Sequence, residues 1–130
     1  MKQIVIVMPN RSGILADIST ATGNAGVNIE ALEGDTVGEM GVVRLTVDDY
    51  DKGVVALREA GFHPLSAEVF LIKLEDEPGS LAQIAQRFKD ADIDIKSLRV
   101  VSRDGRHAIA AISCENVPEA KGLVKDILVS

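Results

Sequence analysis

Apolar residues fall into two rhythms along this chain, and the same succession of rhythms runs twice. A short apolar run, Ile4–Met8, passes through the polar turn Pro9–Gly13. Core-type positions then recur at helical spacing: Leu15, Ile18, Thr22 and Ala25. A second run, Val69–Leu74, passes through Glu75–Gly79 to Leu81, Ile84, Phe88 and Ala91. Runs of β-branched and aliphatic residues predict strands buried on at least one face. The helical spacing predicts amphipathic helices of about three turns, ended by Gly26 and Asp92. Second strands open at Val27-Asn28-Ile29 and Ile93-Asp94-Ile95. Hairpin turns follow at Gly38–Gly41 and at Asp104-Gly105, the latter with the composition of a type I′ turn. Third strands are Val42–Val47 and His107–Cys114. A second helix spans about 51–60, with Gly61 placed to cap it. Its counterpart starts at Pro118, a good first-turn residue, and runs to about Leu128.

Residues 4–32 align with residues 70–98 without a gap at an offset of 66 residues. Ile6 meets Ile72, Gly13 meets Gly79, Leu15 meets Leu81, and Ala16 meets Ala82. Ile18 meets Ile84, Ala25 meets Ala91, Ile29 meets Ile95, and Leu32 meets Leu98. With residues 63–69 as a fourth strand, each unit reads β-α-β-β-α-β, the ferredoxin-like split arrangement. The expected fold class is α+β, with two helices on one face of an antiparallel sheet in each of two units, 1–68 and 69–130. At this offset Ser130 meets Pro64, so the second unit lacks its own fourth strand. Either its sheet has three strands or another chain lends one. An open sheet edge favours association, so a homodimer is expected.

Composition narrows the partners. Twenty acids against 14 bases give a net charge of -6. Phosphate backbones call for a basic stripe, so nucleic acid is not expected as a direct partner. Aromatic residues make up only 3%, too few for base-stacking platforms. No apolar run approaches the roughly 20 residues of a membrane span, and the start of the chain lacks the features of a secretory signal. The single cysteine, Cys114, forms no intrachain disulfide and suits a reducing cytoplasm. It reads as a small buried apolar residue rather than a catalytic thiol.

The chemistry concentrates where strand meets helix. The first N–H groups of a helix have no internal partners and carry partial positive charge. Glycine there permits positive φ and a close approach of backbone to a ligand, a combination that suits a small anion such as a carboxylate. Asn10 and Asp76, three residues before each glycine, are placed either to cap the helix or to hold the ammonium group of a zwitterion. Capping alone also accounts for both turns.

The stretch "LEDEPGSLAQIAQRFKDADIDIKSL" closely resembles the signature of ACT domains, the regulatory amino-acid-binding modules of biosynthetic enzymes and regulators. Its features are an apolar strand, Asp-x-Pro-Gly, Leu-Ala at the helix start, and a second strand opening apolar-Asn-Ile. The first half supplies "PNRSGILADI" and "GVNIEAL", so the likeness covers nearly the whole chain. The resemblance implies the βαββαβ fold and ligands held between paired units. The contacts would come from the first loop and from the residue opening the second strand. In the first unit these are Asn10, Arg11, Ser12, Gly13 and Ile14, with Asn28. In the second they are Asp76, Glu77, Gly79, Ser80 and Leu81, with Asp94 where the family has asparagine. The first loop departs as well, with Ser12 for proline and Asn10 for aspartate, while Arg11 adds a cation able to pair with a carboxylate.

Other candidates read as structural. His63 and His107 lack a ligand cluster at metal spacing. Asp48–Asp51 sits where the second helix needs a cap. Arg99, Arg103 and Arg106 read as a solvated strand face. The expectation is a non-catalytic regulatory protein without a cofactor. It would bind a small amino acid and act through its assembly, a biosynthetic enzyme or a transcription regulator. Two alternatives stay open: an acylphosphatase-like hydrolase using Arg11 and Asn28, and an interaction module without a ligand.

Overall fold

A computed structural model describes residues 2–65 and 68–129 of the chain. It divides into two units, residues 1–67 and 68–130. In the first, β1 (Ile4–Pro9), α1 (Ile14–Asn24), β2 (Ile29–Val37), β3 (Met40–Val47) and α2 (Tyr50–Glu59) follow in order. In the second, β4 (Phe70–Glu75), α3 (Ser80–Asp90), β5 (Ile95–Arg103), β6 (His107–Cys114) and α4 (Val117–Leu123) repeat the succession. The sheets are antiparallel, ordered β1-β3-β2 and β4-β6-β5.

Each unit has its own core, built by the alternation of its central strands. Ile4, Ile6, Val43, Leu45 and Val47 point toward Ile14, Ile18 and Leu57 of the helices. Phe70, Ile72, Leu74, Ala110 and Ile112 do the same toward Ile84, Phe88, Ala120 and Val124. The helix ends also match. Gly26 follows α1 at φ 75°, and Asp92 follows α3 at φ 57°. Glycine takes the left-handed region without penalty, and aspartate is among the few other residues found there.

Three sequence expectations are corrected in detail. First, the hairpins turn at different residues. The first loop is only Gly38-Glu39, since Val37 pairs with Met40. In the second, Gly105 has φ 88° but Asp104 has no positive φ, so Asp104-Gly105 is not a type I′ turn, which needs both. The Asp104 carboxylate instead accepts from the N–H groups of Arg106 and His107 at 3.0 and 2.7 Å. Second, the offset is not constant. Pro9 and Met40 face each other as Glu75 and His107 do; 75 less 9 is 66, but 107 less 40 is 67. A bulge between Val100 and Ser102, which β2 lacks, absorbs the extra residue.

Third, neither unit has a full fourth strand among the described residues. The fourth position is one bridge in each, Val5 with Leu65 and Ile72 with Leu128. Ser66 and Ala67 of the anticipated strand lie outside the described residues. The second sheet is three-stranded as expected, yet no strand from another chain is needed to cover β4. The Lys73 N–H donates to the Ile127 carbonyl and the Val129 N–H to that of Leu71, both at 2.8 Å. The sequence carried this helix from Pro118 to about Leu128, but α4 stops at Leu123. Arg87 on α3 donates to the Leu123 carbonyl at 3.3 Å and pairs with Asp126 at 2.8 Å, so the end of the chain turns back to the sheet.

Candidate ligand-binding corners

Both helices that follow a first strand begin in the same way. Gly13 precedes α1 at φ 84° and Gly79 precedes α3 at φ 89°, and neither helix start receives a side-chain cap. Neither Asn10 nor Asp76 therefore caps its helix, which was the structural account of these turns. The left-handed glycine points the chain into the helix and leaves first-turn N–H groups without a side-chain partner, although the Ser80 N–H donates to the Glu77 carbonyl at 3.3 Å. A Cβ built on either glycine would meet nothing within 4 Å, so the space over each corner is open.

The two corners differ in their side chains. In the first, Arg11 donates to the Asp17 carboxylate at 2.7 Å. The cation is thus partly neutralised within its own helix start, and both groups remain about half exposed. Asn10 is anchored by its backbone, whose N–H donates to the Glu39 carbonyl at 2.9 Å. Ser12 is exposed and Ile14 is buried in the core. Leu15 stays 40% exposed, with its methyl groups beside Gly34.

At the second corner there is a hollow of about 220 Å³, lined among others by Asp76, Glu77, Gly79, Ser80, Leu81 and Arg103. Arg103 donates from Nε to Asp76 at 3.1 Å. The sequence reading had Arg103 on a solvated strand face. Arg103 is exposed at the end of β5, and the bulge after Val100 and the hairpin turn also bring it to the mouth of the corner. The spacing from Arg103 to Asp104-Gly105 was the available signal, but the register that decides it depends on the bulge. At the rim His107 Nε2 lies 3.4 Å from Glu75 Oε1.

Asn28 and Asp94 do not join the corners of their own units. The Gly13 corner is at the hairpin end of the sheet, beside Pro9, Met40 and Val37, whereas Asn28 precedes Ile29, paired with Val47 at the other end. Eight strand residues separate the ends, roughly 25 Å. Asp94 stands in the same relation to Gly79 and lines a different hollow with Phe88, Asp92 and Ile93.

Asn28 is held there by Asp48. Asp49, not Asp48, caps α2, accepting from the Lys52 N–H at 3.2 Å. Hydrogen bonds from the Asn28 backbone, then from its side chain, hold the Asp48 carboxyl below the ordinary carboxylate range. Cys114 is buried, and desolvation pushes its thiol pKa up, the opposite of an activated nucleophile. Among the described residues, no group of three or more His, Cys, Asp and Glu is placed to hold a metal. No helix among them is long and apolar enough to cross a membrane.

A βαββα unit closed by a short edge bridge, written twice with an uncapped glycine corner in each copy, defines a tandem ferredoxin-like protein. The family model of the ACT domain pair matches residues 1–128, and the chain belongs to that family. No curated protein matches it. Among solved structures it is similar to protein BT0572 from Bacteroides thetaiotaomicron. The identity is 24% and the TM-score 0.50, over 98% of this chain and 90% of that one. The ligand-free regulatory subunit of aspartate kinase from Thermus thermophilus is similar at 16% identity and TM-score 0.44, over 96% of this chain and 90% of that one.

Proposed function

We propose that this chain is a non-catalytic regulatory module that binds a small amino acid at its glycine corners. It acts through its own assembly, as a homodimer, or through a biosynthetic enzyme or transcription regulator. One observation carries this reading: two helix starts are opened by left-handed glycines, and both are left uncapped under open space. A helix start without a side-chain cap has N–H groups to give to an outside acceptor, and a carboxylate is the natural one. Membership in the ACT domain pair family supports the same reading.

The ligand's carboxylate sits on the amides after Gly13 or Gly79, beside Asn10, Arg11, Ser12 and Ile14 or beside Asp76, Ser80 and Leu81. Its ammonium needs an acceptor, and Asn28 and Asp94 are the strand-opening candidates. They lie too far from the corner of their own unit. In the proposed homodimer, a ligand touching both kinds of group takes its corner from one chain and its strand-opening residue from the partner chain. Binding at such a seam stabilises the pairing by mass action.

A thermal-shift panel of the twenty amino acids tests this. At a hundredfold excess over Kd, binding adds about 2.7 kcal/mol, which reads as a rise of several degrees with one or a few ligands. A flat panel supports the ligand-free module instead. Sedimentation of the same samples reports the dimer.

A further inference from the structure

At the start of β2, Asn28 and Asp48 are joined by three hydrogen bonds. The Asn28 N–H donates to Asp48 Oδ1 at 3.0 Å, and its side-chain Nδ2 donates to Asp48 Oδ2 at 3.1 Å. The Asp48 N–H returns a bond to the Asn28 carbonyl at 3.0 Å. An ionised carboxylate only accepts. The limb of the Asn28 amide that meets Asp48 must therefore be its NH2, and the carbonyl oxygen Oδ1 lies on the other limb, turned away. Without this clamp an exposed amide is free to turn over and present donor or acceptor. With it, an acceptor is fixed toward solvent.

The second unit has no such clamp. Asp94 replaces Asn28, and Glu115, which follows Cys114 as Asp48 follows Val47, replaces Asp48. Two carboxylates cannot donate to one another, and the Glu115 carboxylate lies 3.9 Å from Lys96 Nζ instead.

We infer that Asp48 is a positioning residue: it fixes the Asn28 carbonyl oxygen outward as the acceptor for a ligand's ammonium group, so that the Asn28 site discriminates free amino acids from N-acylated ones. This rests on the amino-acid reading above. An ammonium brings three N–H donors, and a bond from a charged donor is among the stronger hydrogen bonds. An N-acetyl group brings one neutral donor and a bulky carbonyl. A carboxylate at Asn28's place would attract an ammonium too, but only through charge. The clamped amide instead offers a neutral acceptor in one direction.

The test uses the full chain and calorimetric titration with the twenty free amino acids and their N-acetyl derivatives. Asp48→Asn and Asp48→Ala are compared with the wild type. The wild-type chain prefers the free form, and both variants weaken its binding by about tenfold while binding of the N-acetyl form stays within about twofold. A merely structural role for Asp48 weakens both forms alike, and that outcome, or an unchanged preference, overturns the inference. A second readout needs no ligand. The side-chain NH2 resonances of Asn28, assigned by NMR, move in Asp48→Asn because the new amide can donate to Oδ1 and turn Asn28 over. Resonances unmoved in this variant also overturn the clamp. A wild-type chain that binds none of the forty compounds, with the NH2 resonances moving as expected, overturns the amino-acid reading and leaves the clamp a structural device, which defeats the inference about its role.

Discussion

Thr22 and Phe88 hold the same place on α1 and α3, each fully buried against its own sheet. Thr22 fills its place with a hydroxyl that donates back to the Ile18 and Ser19 carbonyls at 3.0 and 3.1 Å. Phe88 fills it with a ring inside the second core. One topology thus rests on two different packings. The corners follow the same rule, with glycine geometry shared and the side chains around it different. Asn10 and Arg11 flank one, and the Asp76–Arg103 pair flanks the other. What is common to both copies, positive φ and an uncapped helix start, is what the backbone needs in order to present N–H groups. What differs is the means of choosing a ligand.

The packing difference gives the largest effect. Phe88→Ala is expected to destabilise the second unit by about 3–5 kcal/mol. Thr22→Ala, which removes a locally satisfied hydroxyl and a methyl, costs the first roughly 1 kcal/mol. Urea unfolding of both variants checks this, and equal losses would break the comparison. The corners come next. Gly13→Val and Gly79→Val have room for the side chain but not for the backbone, so each loses about 1–2 kcal/mol to left-handed strain. The fold by circular dichroism stays largely intact, and the variant corner no longer responds to an amino acid. Unfolding by either change would mark a purely structural glycine.

A smaller effect of opposite sign is expected where the second copy departs from the first. Asp92→Gly, which copies Gly26, should stabilise the second unit by roughly 0.5–1 kcal/mol in thermal unfolding. No gain would mean that Asp92 compensates for its φ in another way.

The smallest effect separates the two units by pH. Asp48 in the first is held low by the Asn28 backbone and side chain, and Asp126 in the second by the Arg87 side chain. Both folded-state values lie below the unfolded one, so each contribution is full above the ordinary value of 3.8. It is lost as pH falls through the lowered folded value. Carboxyl carbon shifts followed by NMR should titrate below 3.8 for both. Asn28→Ala should raise the midpoint of Asp48 while leaving that of Asp126 in place.

Much of this was legible in the residues. The repeat of Ile6, Gly13, Leu15 and Ile18 at Ile72, Gly79, Leu81 and Ile84 located both strand-glycine-helix corners, because backbone geometry of this kind leaves a glycine and a helical spacing behind it. The side-chain partners were not legible. Arg103 reaches Asp76 only because a bulge after Val100 shifts the register, and a bulge leaves no residue-type mark in β5. The segment Asp48–Asp51 was read as the place of a helix cap, and Asp49 is that cap, but the separate role of Asp48 within it was not legible. Its actual partner, Asn28, is 20 residues away, across a strand pairing. The return of the chain end to β4 was missed because α4 is shorter than α2, and the Arg87–Asp126 pair that accompanies it joins residues 39 apart.

The central claim is that backbone N–H groups after Gly13 and Gly79 take a ligand carboxylate. Backbone amide shifts of uniformly ¹⁵N-labelled protein, recorded as each of the twenty amino acids is added, test it most directly. The account predicts saturable movement of the Ile14–Ala16 or Leu81–Ala82 amides with the same ligand that raises the melting temperature. A ligand that binds tightly and leaves both sets of amides unmoved would contradict it.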